Sequence, residues 1–291
     1  MITSDLITQT YYAYRGKGAS KVPAFGSEKS NTALAIANRK QQEWAKDSDQ
    51  TWVSNYRNVA PNEVGTVATV GTTALTGTDT HFTDYEVGDK ITVSGETIRT
   101  INTITSDTAL TVSVAFTNTA SALTFTRTTI IATGLQEYSL HRNFYTPSDQ
   151  VIITTSTQDI TLGFIKPQDR FNGDVYISGR LPKKLTFNND ITATDQKVGG
   201  TLKVSGYYLP DALVNATDEV SVDDPNWLIY AVAAELARND PAKDAEFPNL
   251  LGMANELYRK MVAANANIGY LNNCTVPTNV PSIGDYNEDG F

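Results

Sequence analysis

DDPNWLIYAVAAELAR (residues 223–238) and PNLLGMANELYRKMVAA (residues 248–264) are the two stretches that decide the fold. Asp224 followed by Pro225 marks a helix start, because the carboxylate accepts free backbone N–H groups and proline suits the first helical position. Apolar residues recur through both stretches with the 3.6-residue period of an α-helix. We therefore predict two helices that pack as an antiparallel hairpin, joined by a turn at residues 239–247.

The hairpin also carries the residues expected to make helix–helix or subunit contacts. Alanines on the first helix allow close approach of another backbone, and aromatic residues are favoured where two protein surfaces meet. The packing set consists of Trp227, Tyr230, Ala231, Ala234, Leu257, Tyr258 and Met261.

Composition excludes several classes of protein. The chain has 291 residues and a net charge of −9, which argues against a broad phosphate-binding face, since DNA affinity comes mainly from Lys and Arg. A single cysteine, Cys274, excludes an internal disulfide framework and fits a reducing compartment. No apolar run is long enough to span a membrane, and residues 1–18 lack the pattern of a signal peptide.

The middle of the chain predicts β-structure of two kinds. Residues 64–128 contain 20 threonines and short runs of Thr and Val separated by turn signals, which is typical of a small antiparallel barrel or sandwich. The following segment, 130–210, is richer in aromatic residues and reads as a second β region. Helical patterns precede both, within residues 1–15 and from Ser27 or Ser30 onward.

These patterns predict an α+β fold with a discontinuous helical body. The N-terminal helices (residues 1–62) and the C-terminal hairpin (211–265) form that body. The threonine-rich domain (63–129) and the second β region (130–210) lie between them. Residues 266–291, rich in Asn and short of groups to bury, are expected to be an extended arm or disordered.

Two parts of the chain resemble components of tailed bacteriophages. Residues 65–112, with TGTDTHFT at 76–83 and VGDKITVSG at 87–95, resemble a small β module inserted in many phage virion proteins. The ending, DEVSVDDPNWLIYAVAAELARNDPAKDAEFPNLLGMANELYRKMVAANA at 218–266, is similar to the C-terminal helices of head-to-tail connector (adaptor or neck) proteins. Those connectors are mostly helical, so the large β content of this chain departs from the simplest members.

The resemblance implies a structural role in assembly and no catalysis. Such connectors form a homo-oligomeric ring, here expected to hold about twelve copies, between the portal protein and the next tail or neck proteins. The ring extends the channel through which DNA passes without specific binding. The expected location is the neck or tail of the virion, after assembly in the host cytoplasm, with no membrane partner.

The arm is the expected portal contact, because an extended segment can order on a partner's surface. Its partner-binding residues are the apolar ones: Tyr270, Leu271, Val276, Val280, Ile283, Tyr286 and Phe291.

Two other functions stay open. A tail tube, baseplate or fibre-attachment protein would use the β domains to bind cell-surface glycan, and would need exposed aromatic side chains on them. A glycan-degrading enzyme would need a cleft with two carboxylates about 5–9 Å apart. The acidic pair Asp223–Asp224 is better explained by helix capping.

No motif predicts a catalytic centre, a cofactor or a metal. His81 and His141 are the only histidines, and neither has a second ligand at zinc spacing. Asp285, Asn287, Asp289 and Gly290 match the opening of a calcium loop, but the glutamate at its twelfth position is missing. A solvated acidic tail is the favoured interpretation of that run.

Overall fold

The computed structural model describes residues 1–16, 18, 21–47, 52–57, 60–164, 174–179 and 182–273. It confirms a mixed α+β fold. The chain divides into two compact units: a helical unit, Met1–Ser54 with Ala212–Phe291, and a β unit, Asn55–Asp211.

The helical unit contains four described α-helices, and local capping explains where two of them begin. They are α1 (Thr3–Arg15), α2 (Glu28–Ala45), α3 (Pro225–Arg238) and α4 (Phe247–Asn273). The Asp224 carboxylate accepts the backbone N–H of Asn226 at 2.9 Å, with Pro225 in the first turn of α3. Ser27 caps α2 in the same way. These two caps are the start signals visible in the sequence.

Helix α3 forms the centre of this unit and packs against α1, α2 and α4. Its buried side chains are small or aliphatic over most of its length, which allows three neighbours to approach it closely. They include Leu228, Ala231, Val232, Ala233, Ala234 and Ala237.

Helix α4 continues beyond the predicted hairpin. It ends at Asn273, within the segment that the sequence analysis assigned to an extended arm. The physical reason is local: Ala263, Ala264 and Ala266 are strong helix formers, and the next proline is Pro277.

In the β unit, β1 (Tyr56–Arg57) precedes a threonine-rich lobe of seven strands. These are β2 (Thr66–Val70), β3 (Ala74–Thr78), β4 (Lys90–Val93), β5 (Arg99–Ser106), β6 (Ala109–Val112), β7 (Thr119–Leu123) and β8 (Phe125–Thr128). The antiparallel order is β7-β2-β3-β6-β5-β4-β8. Since only Thr124 separates β7 from β8, the two edge strands are consecutive in the chain and the sheet curls around its own core.

The second lobe of the β unit has two sheets over one core. Its strands are β9 (Glu137–Ser139), β10 (Phe144–Thr154), β11 (Asp159–Gly163), β12 (Val175–Ser178), β13 (Lys184–Phe187) and β14 (Thr201–Tyr208). The sheet orders are β1-β14-β10-β11 and β12-β13-β9. Tyr56 pairs with Tyr207, so the chain enters the β unit several residues before the predicted boundary at residue 62.

Among the described helices, none combines the length and the apolar character that crossing a membrane requires.

Candidate functional site

The predicted packing residues of the hairpin make contacts within the chain itself. Trp227, Ala231, Ala234 and Met261 are buried, while Tyr230, Leu257 and Tyr258 are half-buried. The ring of Tyr258 lies 5.8 Å from that of Trp227, and the backbone N–H of Asp224 contacts the Met261 sulfur at 3.3 Å. These two contacts join α3 to α4, so the burial of Trp227 and Met261 is explained within the chain.

An aromatic cluster around Trp52 extends this contact. The Trp52 ring lies 5.1 Å from that of Trp44 and 5.9 Å from that of Tyr258, with distances taken between ring centroids. Trp52 also donates its indole N–H to the Trp44 carbonyl at 2.7 Å. The cluster fixes the segment after α2 against α4, and edge-to-face contacts add to its apolar burial.

The outer side of α4 is mixed in character. The exposed Glu256 and Lys260 form a 2.7 Å ion pair one turn apart. Leu251 and Met253 are also exposed. Two positions along a helix differ by about 200° around its axis, so these two side chains lie at opposite edges of the exposed side. This side of α4 therefore presents both charged and apolar groups to solvent.

The predicted arm residues fall mostly beyond the described chain. Tyr270 and Leu271 lie in the last turns of α4. Val276, Val280, Ile283, Tyr286 and Phe291, like the acidic run from Asp285 to Gly290, lie outside the described residues.

The polar cluster that stands out joins the two lobes of the β unit. We call Glu63, Tyr85, Asp89, Arg127 and His141 the joint cluster. The Arg127 side chain is only 3% exposed, and its guanidinium lies 3.4 Å from Glu63 and 3.7 Å from Asp89. It also lies over the Tyr85 ring at 4.4 Å. A guanidinium suits this position, since it binds two carboxylates and stacks on an aromatic face at once.

Arg127 reaches from one lobe to the other through backbone carbonyls. It donates to the carbonyl of Asp84 at 2.9 Å, in the threonine-rich lobe, and to that of Ser139 at 2.7 Å, in the second lobe. The Asp89 carboxylate accepts the backbone N–H of Ile130 at 3.0 Å, where the chain passes between the lobes. Nearby, Arg142 of the second lobe forms a 2.9 Å ion pair with Asp84.

His141 is buried in the cluster and bonds through both of its ring nitrogens. Its Nδ1 accepts the backbone N–H of Asn143 at 3.0 Å, so this nitrogen carries no proton. Its Nε2 therefore carries the hydrogen and donates it to the Asn62 carbonyl at 2.9 Å. The Glu63 carboxylate lies 3.9 Å from Nε2. The ring therefore links the start of the threonine-rich lobe to the second lobe.

Burial decides the electrostatics of the cluster. It raises the pKa of the Asp89 carboxyl, although Arg127 and the bound amides act to lower it. Burial likewise raises the pKa of the Tyr85 and Tyr208 hydroxyls. A cavity of about 50 Å³ borders the cluster and is lined by Glu63, Arg127 and His141 among others; it is too small for a substrate larger than a few water molecules.

The joint cluster has a structural role: it holds the two lobes of the β unit together. Arg127 uses its donors on fixed carboxylates and carbonyls. His81, the other histidine, is half-buried ahead of a short 3-10 helix. In the described parts of the chain, no group of three or more His, Cys, Asp or Glu side chains is placed to hold a metal ion.

Comparison of the chain with protein-family models gave no match, and neither did comparison with curated proteins.

Proposed function

We propose that this chain is a structural protein of a tailed-phage virion, a head-to-tail adaptor that forms a ring between portal and tail. The observation that carries the proposal is the discontinuous helical unit. Segments from both ends of the chain build it, with the backbone N–H of Thr3 bonded to the Asp218 carbonyl at 2.9 Å. The β unit is inserted between Ser54 and Ala212, as expected for a connector body with an inserted module.

In this role the helical unit supplies the ring and the β unit supplies contacts to other virion components. Since the packing set of the hairpin is satisfied within the chain, the ring contacts would use the outer side of α4 and its neighbours. The net charge of −9 favours a channel wall that repels DNA, so DNA slides through without being held.

The first experiment tests ring formation and portal binding together. The full chain and a chain ending at residue 273, which keeps all of α4, are each mixed with the portal protein encoded by the same virus. Native mass spectrometry then gives the copy number of each complex. The expected result is a multi-copy ring on the portal for the full chain and its loss for the shortened chain.

A matched pair of arm variants separates side-chain recognition from length. One variant replaces Val276, Val280 and Ile283 by serine. The control replaces three polar neighbours (Thr275→Ser, Asn279→Ser, Ser282→Ala). Portal binding lost only in the first variant supports the apolar arm as the anchor. A full chain that forms neither a ring nor a portal complex refutes the adaptor function.

The glycan-binding alternative gains no support from the threonine-rich lobe. Its four aromatic residues, Phe82, Tyr85, Phe116 and Phe125, are all buried in its core. Binding of a sugar ring usually needs an exposed aromatic face to stack on, so we do not propose this function for the lobe.

A further inference from the structure

We draw no further inference here: the strongest candidate, the open polar depression of about 420 Å³ on the second lobe that is lined by Gln158, Asp159, Ile160, Asp195, Gln196 and Lys197, carries none, because four of these side chains pair with one another and nothing in the structure shows what covers it.

Discussion

Replacing Arg127 by methionine tests whether the joint cluster holds the two β lobes together. Methionine keeps most of the side-chain length and removes the charge and the donors. The change leaves the buried Glu63 and Asp89 carboxylates without their cation and the carbonyls of Asp84 and Ser139 without a donor.

The expected loss of stability is about 3 kcal/mol. Removing one member of a buried ion pair typically costs about 3–5 kcal/mol, because the remaining charge is left in a poorly solvating site. Two features place Arg127→Met at the lower end of that range. Water can enter from the adjoining cavity of about 50 Å³, and Asp89 can take up a proton.

Urea unfolding followed by two probes measures the loss and assigns it to a unit. The three tryptophans, Trp44, Trp52 and Trp227, all lie in the helical unit, so their fluorescence reports that unit. Tyrosine absorbance in the near ultraviolet includes the β unit. The unfolding transition seen by tyrosine absorbance should therefore show the full expected loss in the free energy of unfolding.

Lys184→Met is the matched control, since it removes a cation from an exposed pair in the same unit. Lys184 lies 3.2 Å from Glu137, with side chains 43% and 50% exposed, and such pairs contribute at most about 1 kcal/mol. If Arg127→Met costs no more than this control, the joint cluster does not hold the lobes and our reasoning is refuted.

The pH dependence gives a second check on the same variant. Without Arg127, the folded-state pKa of Asp89 rises further above its value in the unfolded chain. A group of this kind stabilises the fold at pH values below its unfolded pKa, and that contribution is lost as the pH rises through the folded pKa. The gap between wild type and Arg127→Met should therefore narrow as the pH is lowered from 7 toward 4.

Three further predictions concern other positions. Trp52→Ala should destabilise the helical unit by about 3–5 kcal/mol in urea unfolding, because it empties a buried site. The control Phe25→Ala, at an exposed side chain, should cost under about 1 kcal/mol. Gly65→Ala should lower the melting temperature more than Gly88→Ala. Both glycines have positive φ, but a Cβ at Gly65 would lie 2.5 Å from the Thr78 carbonyl oxygen, while Gly88 has open space; equal losses would contradict this steric account. Asp89→Asn should flatten the dependence of the urea midpoint on pH between 4 and 7, since burial raises the pKa of Asp89 and wild-type stability from this group falls as pH rises. An unchanged slope would show that Asp89 does not titrate in this range.

Local signals in the sequence predicted the α+β class and the helix starts. Asp224 and Ser27 cap helices by binding backbone N–H groups two or three residues further on. A few adjacent residues are therefore enough to predict where these helices begin. The end of α4 was harder to place because Ala263, Ala264 and Ala266 favour continuation of the helix past its predicted end. The helix therefore runs to Asn273, where an arm was expected.

The joint cluster was not predictable, because long-range pairing creates it. Glu63 and Arg127 flank the threonine-rich lobe, and His141 bonds to a carbonyl 79 positions earlier in the chain. Only the strand order brings them together, and period-2 patterns do not specify that order. The hairpin set was similarly ambiguous: the pattern marks Trp227 and Tyr258 as packing residues, but it cannot say whether the partner is the same chain or another.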